Sequence, residues 1–169
     1  MTQPPRHLDD RFRQDRLQIL DPATADGENA GHSKAVDLLA AWRCWQGLRT
    51  VPERDDVNPL DMPHLLSSLL LLDVEEADFR FRLVGETIAT CYAIRLKGKT
   101  LGEVLSGDGL DETLYEHRRC ADDRQAVLAT HSDATAPPGD IRSYVRLLLP
   151  LGSAGPRASH LIGVMQFYR

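Results

Sequence analysis

The side chains able to do chemistry are scattered along this chain. Six histidines stand at positions 7, 32, 64, 117, 131 and 160. No two have the His-x-His or HExxH spacing that turns two imidazoles onto one metal. The three cysteines, Cys44, Cys91 and Cys120, are odd in number and far apart. Without a CxxC pair they suggest neither a zinc knuckle nor a disulfide framework. A Gly-x-Ser-x-Gly elbow and a phosphate-binding loop are absent. Asp9-Asp10 and Asp122-Asp123 set carboxylates side by side in charged segments, but neighbours on a helix point apart, so a solvated face is expected rather than a shared proton. No catalytic or metal site can be assembled, and the chain reads as a non-enzyme.

Arginine offers a weaker pattern. Arg119-Cys120-Ala121-Asp122 has Arg-x-x-Asp spacing, and Arg142 and Arg146 lie four apart, on what would be one face of a strand. Guanidinium groups suit phosphates and guanine edges, which keeps a cyclic-dinucleotide receptor as an alternative function. Such spacing arises readily by chance in a chain that is 27% charged. A small cavity enzyme of the isomerase or thioesterase kind is the other alternative. It needs a carboxylate or histidine inside its pocket, and the alternation of the strands places none there.

Those residues must be positioned by a fold of modest size, since 169 residues make about one domain. A net charge of −5 argues against a nonspecific hold on nucleic acid or anionic membrane. The polar N-terminus lacks the apolar core of a signal peptide, and the longest apolar run, Leu69 to Leu72, is far too short to span a bilayer. Unpaired thiols fit a reducing compartment, so a cytoplasmic protein is expected.

Residues 1–31, rich in Asp, Arg, Pro and Gly, read as a flexible arm able to dock one short segment through Phe12 and the Leu17–Leu20 stretch. A domain follows over 32–169. Ser33 is a candidate N-cap, and Val36, Leu38, Leu39, Trp42, Trp45 and Leu48 recur at helical spacing, predicting a helix over 33–49. Three prolines, Pro52, Pro59 and Pro63, then break the chain into turns and short helices. Leu69–Val74 is a continuous apolar run, a strand buried on both faces. Phe79, Phe81 and Leu83 alternate with Arg80 and Arg82, and so form a half-buried partner strand. Glu86–Tyr92 reads as a short helix, Leu96–Leu105 as two helical turns, and Leu110–Ala129 as a longer helix with a wet surface. Two last strands, Ser143–Leu149 and Leu161–Tyr168, flank a loop at Gly152–Gly155. The class is α+β with an antiparallel sheet.

This order of elements, with specific residues, resembles the single-domain PAS proteins of alphaproteobacteria. The resemblance rests on Leu39-Ala40-Ala41-Trp42, Leu48-Arg49, Pro52-Glu53-Arg54, Asn58-Pro59 and Leu65-Leu66. It continues in Leu72-Asp73-Val74, Phe81-Arg82-Leu83-Val84-Gly85, Gly98-Lys99-Thr100-Leu101 and Leu147-Leu148-Leu149-Pro150-Leu151. It covers roughly 34–168 and implies a five-stranded antiparallel sheet, helices over one face, room for a ligand between them, and a sensory or regulatory role in bacterial signalling. It supplies no cofactor, because PAS domains bind very different molecules or none. Some hold haem through a histidine on the longer helix, but His117 stands among Glu116, Arg118 and Arg119 and reads as a surface residue. Thr90-Cys91-Tyr92-Ala93 departs from the Asn-Cys-Arg-Phe pattern of the flavin-binding light sensors, so Cys91 reads as a small packed residue. With the chain ending after its last strand, output is expected through a partner surface.

The ligand-lining set expected from strand alternation is Phe79, Phe81 and Leu83 with Leu147, Leu149, Met165 and Phe167, closed over by Ile88, Tyr92 and Leu101. Tyr92, with a ring and a hydroxyl, is the residue of choice for ligand contact. Trp42 and Trp45, three apart on one helical face, either pack on the domain's own sheet or form an interface to a second subunit or partner.

Overall fold

The computed structural model describes residues 11–22 and 32–169. Six strands form one wholly antiparallel sheet: β1 (Arg13–Leu20), β2 (Leu69–Val74), β3 (Phe79–Val84), β4 (Ala126–Ser132), β5 (Ser143–Leu151) and β6 (His160–Tyr168). Their order across the sheet is β1-β4-β5-β6-β2-β3. The helices that lie wholly within the described residues are α1 (Ser33–Gln46), α2 (Glu86–Tyr92), α3 (Leu101–Val104) and α4 (Gly107–Asp123). Three short turns of 3-10 helix over Arg54–Asp56, Pro59–Asp61 and Leu66–Ser68 occupy the proline-punctuated stretch. This is the expected α+β architecture, with one strand more than the resemblance implied.

The sheet has an apolar set on each face, so it must be covered twice. One face packs beneath α2, α3 and α4, with Leu70, Leu72, Phe79, Phe81, Leu148, Leu161 and Met165 contributed by strands. The other packs beneath α1 and the 3-10 turns, with Leu69, Leu71, Val145, Leu147, Leu149, Ile162 and Val164. The two lists alternate residue by residue, as the pleat requires. The run Leu69–Leu72 is therefore buried on both sides because it feeds two cores.

Helix α1 begins at Ser33 itself, the residue expected as its cap. His32 takes the extended N-cap conformation and Ser33 is the first helical residue. It stops at Gly47, whose φ of +56° favours glycine and turns the chain out of the helix. Leu48 consequently lies in solvent instead of continuing the apolar face. Trp42 is fully buried against the chain's own sheet, its indole N–H donating to the Pro150 carbonyl at 2.9 Å.

Two expectations are corrected. The long helix does not run to Ala129: it ends at Asp123, and 126–132 form β4. Ala126, Val127, Leu128 and Ala129 are buried on both faces between β1 and β5, and a short run of this kind carries no period that separates helix from strand. Second, part of the segment expected as an arm is a strand. Residues 13–20 pair with β4 from Arg13↔Ser132 to Leu20↔Ala126. Phe12 is buried with its ring 5.1 Å from that of Tyr144, and Arg11 bonds Asp140 at 3.1 Å. The rest of the expected arm, 1–10 and 23–31, lies outside the described residues.

Among the described residues no helix is long and apolar enough to cross a membrane.

Candidate functional site

Between the sheet and its roof of short helices lies a small cavity. Leu70, Phe81 and Met165 form its floor, Ile88, Tyr92, Leu101, Val104 and Leu105 its roof, and His117 and Arg146 its polar end. The turn that aims the roof is sterically fixed. A Cβ at Gly85 would sit 2.3 Å from the Ser67 carbonyl, so only glycine lets β3 pass close under that turn and open α2 immediately afterwards. Helix α3 is held by a capping box in which Thr100 and Glu103 satisfy each other's backbone.

The expected lining separates into two groups. Phe81, Ile88, Tyr92, Leu101 and Met165 do meet around the cavity, and Phe79 and Phe167 pack in the same core. Leu83, Leu147 and Leu149 do not: all three belong to the opposite face, with α1. For Leu147 and Leu149 the reason is register. Across the β5–β6 pair Met165 stands opposite Arg146, and Leu147 opposite Val164; residues paired in this way share a face, so an offset of one residue exchanges the sides. For Leu83 the reason is a bulge. Leu71 pairs with Leu83 but Leu72 with Phe81, so the extra residue, Arg82, reverses the alternation that Phe79 and Phe81 begin. Leu83 instead lines an open groove with Pro63 and Leu66.

The polar end was not expected from the strands. Helix α4 turns Thr113, Glu116, His117 and Cys120 inward, the i, i+3, i+4, i+7 stripe of a helix face. His117 is therefore buried, 1% exposed, and not the surface residue its sequence neighbours suggested. Arg118 stays outside, and Arg119 pairs with Asp123 on the surface at 2.7 Å. Arg146 is buried too, its guanidinium bonding Glu116 at 2.7 Å, while the other Glu116 oxygen lies 2.7 Å from His131 Nε2. His131 stacks on Tyr144 at 4.8 Å. Arg142 is exposed and precedes the strand, so Arg142 and Arg146 share no surface.

The electrostatics follow from burial and from these pairs. Burial alone would raise the Glu116 pKa. The Arg146 charge and the hydrogen bonds from His131 and Arg146 more than offset that, holding Glu116 at about 2. His117 is pushed down to about 3, first by desolvation and then by the charge on Arg146, and is neutral at physiological pH. Its Nδ1 is 2.7 Å from the Thr113 carbonyl, an acceptor only, so Nδ1 carries the proton. Nε2 is then an acceptor, buried and without a partner.

The cavity has a volume of about 10 Å³, about the space one water needs. A porphyrin does not fit such a space, so His117 is no haem ligand in this arrangement despite its position. Cys91 is half-buried on α2, its thiol raised chiefly by desolvation, and borders an outer hollow with Glu86, Thr87, Thr90 and Arg169 instead of the cavity. Among the described residues no three His, Cys, Asp or Glu side chains are grouped to hold a metal.

An antiparallel sheet with a roof of short helices over a small core cavity defines a class, and the comparisons agree with it. A model of the PAS domain family matches residues 30–166. The chain belongs to that family, whose members serve as sensory and regulatory modules. No curated protein and no solved structure matches the chain.

Proposed function

We propose that this protein is a non-enzymatic signalling module of the alphaproteobacterial single-domain PAS kind, acting in the cytoplasm through association with a second copy or a partner protein, and gated by what occupies its core. The observation that carries the reading is the construction of the cavity. It is roofed by two short helices, α2 and α3, so an occupant changes the outer surface by moving a few residues instead of a packed layer.

The same geometry weakens the enzyme alternative. His117 does bring an imidazole into the pocket, which strand alternation had excluded. A general base works best with a pKa near the operating pH, and His117 is held at about 3. Glu116 is committed to Arg146 and His131. A cyclic-dinucleotide receptor fares no better, with Arg119 half-buried and paired with Asp123 on α4, Arg142 exposed ahead of β5 and Arg146 paired inside.

Native mass spectrometry beside the denatured mass tests the reading. A dimer or a heteromeric complex is expected, with a population that shifts when the cavity is filled. A protein that is monomeric and partnerless whatever its cavity holds contradicts it. Trp45, half-buried on α1, is the tryptophan to substitute for an interface role, because Trp42 is consumed by the fold.

A further inference from the structure

The cavity's lining specifies what it would bind. Apart from the Tyr92 side chain, its wall is apolar except for two groups. One, Arg146, is already ion-paired with Glu116 at 2.7 Å, so the pair carries no net charge toward an occupant. The other is His117 Nε2, buried and unpartnered because the ring's proton is held on Nδ1 by the Thr113 carbonyl. An acceptor shut away from water and left unpaired costs free energy until a donor reaches it. An anion would meet no uncompensated positive charge there, and a cation no uncompensated negative one.

We infer that this cavity is a binding site for compact, neutral, largely apolar molecules carrying a single O–H or N–H donor, with His117 Nε2 as the anchoring acceptor. This deepens the sensory reading by naming its ligand class, and rests on that reading only for the idea of gating. Burial and Arg146 keep the ring neutral, and hence an acceptor, across physiological pH. Size decides the consequence. The cavity's volume of about 10 Å³ admits one water, whereas an apolar cavity that takes up benzene measures about 150 Å³. A ring-sized occupant must therefore displace the roof carried by Ile88, Tyr92 and Leu101, and that displacement is the signal.

The probe is phenol, compared with toluene and benzoate on uniformly 15N-labelled full-length protein. Phenol is expected to bind about tenfold more tightly than toluene, the effect of one hydrogen bond of roughly 1.4 kcal/mol, with benzoate weakest. The His117 Nε2 resonance should move toward its hydrogen-bonded position while Nδ1 stays. His117→Leu should abolish the preference for phenol over toluene. Leu105→Ala, which keeps the histidine and enlarges the space, should tighten phenol binding and stands in if His117→Leu does not fold. Equal affinity for phenol and toluene, no binding of either, or a saturated complex with Nε2 unmoved overturns the inference. Each of those results leaves the association test by native mass spectrometry intact.

Discussion

The two faces of the sheet are built from the same strands and solve different problems. The face under α1 is built chiefly from aliphatic side chains, and the indole nitrogen of Trp42 within it donates to the Pro150 carbonyl. The face under α2, α3 and α4 buries Glu116, His117, His131 and Arg146 and leaves a cavity with an unpaired acceptor. Burying charge is expensive and seldom a source of net stability. On this contrast α1 secures the fold, while the face under the helical roof gives up packing for buried polar groups and a cavity.

The largest effect that would sharpen this contrast is at Trp42. Trp42→Ala should cost about 4–5 kcal/mol in urea unfolding, from the cavity and the lost hydrogen bond; a cost under 1 kcal/mol would break the assignment of α1 as the stabilising layer. Glu116→Leu should follow at about 3–4 kcal/mol, since it leaves Arg146 charged and uncompensated. Glu116 and Arg146 replaced together by apolar residues should recover most of that loss. Phe12→Ala, which empties the contact with Tyr144 at the sheet's end, is expected to cost about 3 kcal/mol and to speed amide exchange in β1.

The smallest predicted effect is on pH dependence. His117 has a folded pKa of about 3 against an ordinary 6.5. Below 6.5 the unfolded chain binds a proton that the folded one refuses. The stability contributed by the neutral ring is complete above that pH and falls by up to about 1.4 kcal/mol per unit as pH drops toward 3. Glu116 adds a second loss from its ordinary 4.5 down to about 2. Wild type should lose stability relative to His117→Leu between pH 7 and pH 5, measured by urea titration at each pH. A constant difference would place the ring in water.

Much of this was legible from residue patterns. The strands at 69–74, 79–84 and 160–168 announce themselves by apolar runs or alternation, and α1 by its spacing. What escaped is where local pattern and tertiary pairing part. The parity of Leu147 depends on which β6 residue it faces, and that of Leu83 on a bulge; neither is written in the strand itself. Strand β1 is a polar edge segment, Arg13-Gln14-Asp15-Arg16, and its identity comes from β4. Charged side chains on an edge are ordinary, so they gave no positive signal. His117 takes its burial from company three and four residues away, Cys120 and Thr113, and not from its immediate neighbours.

If the roof over the cavity is the adaptable layer, native-state hydrogen exchange will show it. The amides of residues 86–105 should exchange through local openings well below the free energy of global unfolding, and those of β5 and β6 only with global unfolding. If residues 86–105 also exchange only when the whole domain unfolds, the cavity has no way to open and the account of a gated sensor is contradicted.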